Sequence, residues 1–181
     1  MKNLAFFSSL LIILVLTACG GGDDTPAPGS EQRSFDMVFS GITVNANYQN
    51  VTPPSQSKQL VDVLSSTNKD KVSYVKGSET KMSNCSITMQ GLQTGTSLKS
   101  VSVNLVDTQG RTVYTYNINL AVNIVDEKLK DDTTSCVSFL SNVANYLATN
   151  KSITLQIVLN GGDTDVNNLR VTVNIEAIFN W

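Results

Sequence analysis

Residues 171–181 read VTVNIEAIFNW, and every second position of this stretch from Val171 to Trp181 is apolar. Side chains of a β-strand point alternately to opposite faces of the sheet, so this spacing predicts a strand with one buried and one solvated face. A strand this regular is expected to lie inside a sheet. Because one of its faces is wet, that sheet is expected to be antiparallel.

The same alternation recurs upstream, at residues 86–90, 101–105, 114–124 and 153–159. The turn sequence DTQG at 107–110 predicts a hairpin, and GGDTD at 161–165 predicts a second one that joins the last two strands. In residues 35–48 the apolar positions change parity at Gly41, which predicts a β-bulge near Ser40 and Gly41. Residues 60–64 and 72–76 are expected to form short strands.

One segment has helical spacing instead. Cys136, Leu140, Val143 and Leu147 recur at intervals of three and four, and Thr133 suits the helix N-cap. The expected fold is therefore mainly β: an antiparallel two-layer β-sandwich, Ig-like in general form, of about seven strands, with one α-helix near 133–150. A single curved sheet with the helix packed across it is the alternative.

Composition excludes several kinds of chemistry. The chain of 181 residues contains no histidine, which excludes Ser-His-Asp and Cys-His catalysis and every metal site that needs imidazole. Charged residues make up 15% of the chain, the net charge is −2, and no basic block offers attraction to nucleic acid. We expect no cofactor and no nucleic-acid partner.

The N-terminus has the layout of an export signal, with Lys2 followed by a mostly apolar run over residues 4–16. The next residues, Leu16-Thr17-Ala18-Cys19, resemble the lipobox of bacterial lipoproteins. That resemblance implies that residues 1–18 are a signal peptide and that the Cys19 thiol carries lipid, which anchors the chain to a membrane. Residues 19–34 are then expected to form a flexible tether, and residues 35–181 a single β-rich domain.

The residues after Cys19 bear on which membrane the chain would occupy. The sequence CGGGDD at 19–24 is similar to the start of many Bacteroidota lipoproteins, and position 20 is not the Asp of the inner-membrane retention signal. The resemblance implies the outer membrane. The periplasmic face and the cell surface both remain open.

Two further groups of residues are candidate sites. Cys85 and Cys136 form either a disulfide or two buried free thiols. Asp163, Asp165 and Asn167 have the alternating oxygen ligands of a calcium loop. Asn168 stands where that loop needs Gly, and its twelfth position is Asn174 instead of Glu, so we predict a polar loop without metal.

For function, the sequence favours a non-catalytic module that binds a protein or glycan partner in the envelope. One alternative is a histidine-free hydrolase of envelope or dietary glycan, which needs two converging carboxylates. Another is a fimbria-like structural subunit, because Arg33, just before the predicted first strand, resembles the processing position of Bacteroidota fimbrillins. Sugar-binding platforms usually expose Trp or Tyr: Trp181 is expected to pack in the core or at an edge, and the placement of Tyr48, Tyr74 and Tyr146 stays open.

Overall fold

A computed structural model of the protein describes residues 28–92, 98–118, 120 and 128–181. Within those residues lie nine strands and two α-helices: β1 (Ser30–Val44), β2 (Gln56–Gln59), α1 (Leu60–Val63), β3 (Gly77–Thr80), β4 (Ser86–Gln90), β5 (Leu98–Val106), β6 (Thr112–Asn117), β7 (Lys128–Asp131), α2 (Thr134–Asn150), β8 (Ser152–Gly161) and β9 (Val166–Asn180). Lys69–Tyr74 and Met82–Asn84 are 3-10 turns.

The strands form two antiparallel sheets. Sheet 1 has the order β1-β9-β4-β7, with β3 also paired to β9, and sheet 2 has the order β2-β8-β5-β6. Their inner faces share one core, to which β9 contributes the fully buried Val171, Val173 and Phe179. The two-layer antiparallel sandwich predicted from the sequence is therefore confirmed, with two short strands more than expected among the described residues.

The pairing of the strands is nested. Apart from β3, the first strand pairs with the last, β2 with β8, β4 with β7, and β5 with β6. A long hairpin wound around two sheets gives this pattern, which is that of a jelly roll. It places β9 inside sheet 1, between β1 on one side and β4 and β3 on the other, as the regularity of residues 171–181 predicted.

The predicted helix is present as α2. The Thr133 side chain caps its N-terminus by accepting a 3.4 Å hydrogen bond from the Cys136 backbone N–H. Lys151 ends the helix in the left-handed conformation, with φ 66°, and donates its backbone N–H to Leu147 O. The inward face of α2, which includes Leu140, Val143 and Leu147, is fully buried and contacts strands of both sheets.

Residues 60–64 and 72–76 do not form the short strands that the sequence predicted. Leu60–Val63 is a helical turn, and Lys69–Tyr74 a 3-10 turn. Leu60 and Val63 are both buried because their spacing of three puts them on one side of that turn. Over so short an apolar run, helix and strand patterns cannot be told apart.

Strand β1 differs from its predicted extent and confirms its predicted bulge. It begins at Ser30, so residues 30–34 belong to the sheet, paired with residues 176–180 of β9, and not to the tether. The register with β9 shifts between Phe39 and Ile42, where Gly41 has φ +67°. Glycine adopts a positive φ without the steric cost of a Cβ atom, and the register shift at this glycine puts the bulge at the predicted position.

The second predicted hairpin is wrong. Strands β8 and β9 lie in different sheets, so the loop between them crosses the sandwich.

The strand predicted over 114–124 is present as Thr112–Asn117. Its positions 119 and 121–124 lie outside the described residues, as do residues 1–18 and Cys19. None of the helices in the described ranges is long and apolar enough to cross a bilayer.

Candidate binding site

The loop after β1 is held against the end of β8 and the loop that follows it. The backbone N–H of Ala46 donates to Asp165 Oδ1 at 2.7 Å, and that of Asn47 to Gly162 O at 2.8 Å. In the other direction, Gly161 N–H donates to Tyr48 O at 2.7 Å. These bonds join the two loops at one end of the sandwich.

Gly161 is required by this close contact. A Cβ atom at that position would lie 2.3 Å from Asn45 O and 3.2 Å from Tyr48 N. Both are backbone atoms, so no side-chain rotation relieves the clash. The absence of a side chain at Gly161 therefore lets the loop of residues 45–50 lie on β8.

Between these segments is an open cleft, which we call the amide cleft, with a volume of about 330 Å³. It is lined by Asn47, Gln49, Asn50, Lys99, Ser100, Asn160 and Gly161. Asn160 links its two walls: its Oδ1 accepts from Asn50 N at 2.8 Å, and its Nδ2 donates to Ser100 Oγ at 2.7 Å. Lys99 Nζ contacts Asn47 Oδ1 at 3.5 Å. The lining thus combines three Asn, one Gln, one hydroxyl and one ammonium group.

An aromatic side chain is exposed in the same loop. Tyr48, between Asn47 and Gln49, is 60% exposed. Trp181 and Tyr146 are partly buried and pack against the core, and Tyr74 is also partly buried. The prediction that Trp181 packs against the core is therefore confirmed, and of the three candidate tyrosines Tyr48 is the exposed one.

The outer face of sheet 2 continues from the amide cleft, and we call it the neutral face. On β5 and β8 its side chains alternate with buried ones, and none of the side chains on this face is charged. They are Ser57, Gln59, Ser100, Ser102, Asn104, Val106, Thr112, Thr115, Asn117, Ser152, Thr154, Gln156, Val158 and Asn160. All but Val106 and Val158 are hydroxyl or amide side chains, Val106 is buried, and the exposed Val113 lies at the register shift beside Thr112. The exposed Lys99 lies at the register irregularity between Leu98 and Ser100 and belongs to the amide cleft.

Cross-strand hydrogen bonds order the neutral face. Ser102 Oγ donates to Asn117 Oδ1 at 2.7 Å, and Thr115 Oγ1 donates to Asn104 Oδ1 at 2.8 Å. An amide whose oxygen accepts in this way still has two N–H donors on its nitrogen. The face therefore holds side-chain amides in fixed positions on a rigid four-stranded sheet.

The outer face of sheet 1 is different, because it carries charges of both signs. The charged residues that point outward there are Asp36, Glu79, Lys128, Lys130, Arg170 and Glu176. The low charge of the whole chain does not explain this contrast. The absence of charge is a property of one face of the sandwich.

Several carboxylates of the described residues are used in structural contacts. Asp131 is fully buried and accepts hydrogen bonds from Tyr116 Oη and Thr133 Oγ1, and Glu31 accepts from Ser65 N and Asn68 Nδ2. A second cleft, of about 360 Å³, lies between β3 and α2 and is lined by Thr80, Val137, Ser138, Ser141 and Asn142. Neither cleft is lined by a carboxylate.

Cys85 and Cys136 are free and buried thiols. Cys85 Sγ accepts from Glu176 N–H at 3.3 Å and donates to Lys81 O at 3.4 Å. Burial raises the pKa of the Cys85 thiol. Burial, together with the nearby Asp131 charge, raises the pKa of Cys136 to about 12. Both thiols are therefore protonated and poorly reactive at neutral pH.

Among the residues predicted as a polar loop, Asp165 fixes the neighbouring loop through Ala46 N–H. Within the described ranges, no three His, Cys, Asp or Glu side chains are grouped so that they could hold a metal ion.

Arg33, expected to precede the first strand, lies inside β1 opposite Ala177, and its Nε donates to Val63 O at 2.8 Å. Cleavage after Arg33 would remove residues that belong to sheet 1.

Comparison with known proteins does not identify the chain. No family model matches the sequence, and no curated protein does. Among solved structures, it is similar to Desmodium yellow mottle tymovirus, at 12% identity over 86% of this chain and 89% of that one, with a TM-score of 0.35. The similarity to the decameric BFDV capsid protein has 9% identity over 84% of this chain and 98% of that one, with a TM-score of 0.36. The similarity to Turnip Yellow Mosaic Virus has 13% identity over 86% of this chain and 94% of that one, with a TM-score of 0.35. Scores this low carry no argument about function.

Proposed function

We propose that this chain is a lipid-anchored lipoprotein of the bacterial cell envelope that binds a glycan without catalysis, at the amide cleft. The observation that carries the proposal is the pairing of an amide-lined cleft with an exposed tyrosine in the same loop. Asn, Gln and Ser side chains both donate and accept hydrogen bonds, as sugar hydroxyls do. The ring of Tyr48 offers an apolar surface for the C–H face of a sugar ring, and its hydroxyl a polar edge.

Binding without hydrolysis is supported by the lining of the cleft. Glycoside hydrolysis by the usual mechanism needs two carboxyl groups roughly 5–9.5 Å apart on either side of the bond to be cut. The amide cleft is lined by amides, a hydroxyl and Lys99, and by no carboxylate. A sugar bound there has no acid and base beside it. This favours the binding module over the carboxylate hydrolase.

The anchor is proposed on the motif Leu16-Thr17-Ala18-Cys19. Lipid on Cys19 would hold the domain at a membrane, since two or more acyl chains give stable attachment. The sequence CGGGDD at 19–24 supports the outer membrane. We expect the Cys19→Ala protein to keep its signal peptide and to incorporate no labelled fatty acid. A Cys19→Ala chain that is processed and membrane-bound like the wild type would refute the anchor. Protease treatment of intact cells would distinguish the surface from the periplasmic face.

Glycan binding is tested with the detergent-solubilised full-length chain on an array of neutral and charged polysaccharides, with affinities measured by calorimetry. We expect Tyr48→Ala and Gln49→Ala each to weaken binding about tenfold, equivalent to about 1.4 kcal/mol. Tyr114→Ala is the matched control, because Tyr114 is 43% exposed but lies on β6, away from the cleft. Absence of binding across the array, or equal binding by wild type and both cleft variants, would refute the proposal.

A further inference from the structure

We infer that the ligand is an uncharged polysaccharide, and that it extends from the amide cleft along the neutral face. This rests on the proposed function and adds to it the chemical class of the glycan and the path it takes. The inference combines three observations. The neutral face is continuous with the cleft, it lacks charge whereas the outer face of sheet 1 is charged, and its side chains are mostly hydroxyls and amides.

The cleft and the neutral face share two residues, Ser100 and Asn160, which are paired across β5 and β8. From that pair, the next outward-facing positions are Ser102 opposite Val158 and then Asn104 opposite Gln156. Outward positions repeat about every 6.6–6.8 Å along a strand, and strands lie about 4.8 Å apart. A chain that leaves the cleft along β5 and β8 therefore meets hydroxyl or amide groups at regular intervals.

The lack of charge selects an uncharged ligand. An acidic polysaccharide that loses water on this face would find no lysine or arginine among the neutral-face side chains, so its desolvation would be uncompensated. The cations Lys128, Lys130 and Arg170 lie on the outer face of sheet 1 instead, together with Asp36, Glu79 and Glu176. A neutral, hydroxyl-rich chain instead exchanges hydrogen bonds with water for hydrogen bonds with the face. Lys99, the one cation of the cleft, contacts Asn47 Oδ1.

The same side chains disfavour a protein partner. Protein interfaces concentrate Tyr, Trp, Phe, Met and Arg in their buried centre, where a few such residues supply most of the binding energy. The apolar residues on and beside the neutral face are three valines, the buried Val106, the exposed Val113 at the edge, and Val158, and the face has no aromatic residue or arginine. It lacks the anchors of a protein interface and has the polar groups of a surface that binds sugar hydroxyls.

The test compares short and long versions of the same neutral glycan. The probes are xylan, mixed-linkage β-glucan and α-mannan, each with its own trisaccharide, and polygalacturonate as the anionic polymer. The test variant is Asn104→Ala with Gln156→Ala, in the middle of the neutral face. The matched control is Thr88→Ala with Thr172→Ala, two outward-facing residues paired across β4 and β9 in sheet 1.

We expect at least one neutral polymer to bind more tightly than its trisaccharide, and polygalacturonate not to bind. The neutral-face variant should lose about tenfold in affinity for the polymer and keep that for the trisaccharide, whereas the sheet 1 control should keep both. Tyr48→Ala should weaken both probes. If Tyr48→Ala weakens binding but the neutral-face variant does not, or if polygalacturonate binds best, this inference is overturned and the proposed function stands. If no probe binds, or Tyr48→Ala has no effect, both are overturned.

Discussion

Tyr116 Oη donates a 2.5 Å hydrogen bond to Asp131 Oδ2, and this bond joins β6, at one edge of sheet 2, to β7, at one edge of sheet 1. The other carboxylate oxygen of Asp131 accepts from Thr133 Oγ1 at 2.8 Å and from Thr133 N at 3.2 Å. The Tyr116 ring stacks on Phe139 of α2, with centroids 5.6 Å apart. Burial and the bond to Asp131 raise the pKa of the Tyr116 phenol well above its usual range. One buried carboxylate thus connects both sheets to the start of the helix.

The substitution Tyr116→Phe should lower the free energy of unfolding by about 2 kcal/mol, because it leaves one oxygen of the fully buried Asp131 without its donor. The measurement is urea denaturation followed by circular dichroism. Tyr114→Phe, on the same strand but 43% exposed, should change it by less than about 0.5 kcal/mol. Equal stability of the two variants would mean that the bond to Asp131 contributes nothing.

Glu31 should make the fold sensitive to acid. Burial raises the pKa of Glu31, but hydrogen bonds from Asn68 and Ser65 lower it by more, so the net pKa lies below the ordinary 4.5. A carboxyl with a lowered pKa in the folded state contributes stability above about pH 4.5 and loses it as the pH falls through the folded-state pKa. Glu31→Gln should therefore cost about 1 kcal/mol at pH 7 and little at pH 3.

The readout for Glu31 is the midpoint of urea denaturation between pH 7 and pH 3. Glu79→Gln, which removes an exposed carboxylate from β3, controls for the change in net charge. A stability difference between wild type and Glu31→Gln that stays constant over this pH range would contradict the assignment.

Gly161→Ala should disturb the amide cleft. The added methyl group would lie 2.3 Å from Asn45 O, so the loop of residues 45–50 must move away from β8. We expect a loss of about 1–3 kcal/mol in stability, as for other overpacked positions, and loss of glycan binding. Gly77→Ala is the control, since the new Cβ meets only Asn145 Oδ1 at 3.7 Å. If Gly161→Ala keeps its affinity for the glycan, the position of residues 45–50 against β8 does not matter for binding.

The two buried thiols should react only when the protein unfolds. Because Cys85 and Cys136 are buried and their pKa values are raised, the native protein should react slowly with a thiol reagent at pH 8. In denaturant without reductant, both thiols should react with the reagent immediately. Two thiols that appear only after reduction would instead indicate a disulfide between them.

The sequence predicts those parts of this fold that depend on the position of each residue in its own element. The alternation in β9, the bulge at Gly41 and the helix start at Thr133 are all visible as local patterns, because strand periodicity, glycine conformation and capping chemistry act over a few residues. These predictions are confirmed. The burial of Trp181 against the core follows from the same alternation.

The predictions that fail are those that depend on which strands pair with each other. The loop at 161–165 has hairpin composition, yet it connects two sheets, because alternation determines the buried face of β8 and β9 and not their partners. The sequence does not predict the amide cleft for the same reason: Asn47, Lys99 and Asn160 are far apart in the chain and converge only through strand pairing. The sequence does contain a signal for the neutral face: in residues 100–104 and 154–160, most of the alternate positions that face outward carry hydroxyl or amide groups.

The length of β1 has a consequence for the anchored protein. Lipid on Cys19 would connect to the domain through Ser30, at the start of β1, whereas the amide cleft begins just after Val44, at its far end. A strand of fifteen residues spans about 45 Å, so the cleft would lie about that far from the point where the tether joins the domain. An anchored domain that turns on its tether could therefore present the cleft well away from the lipid headgroups, where a large polymer can reach it.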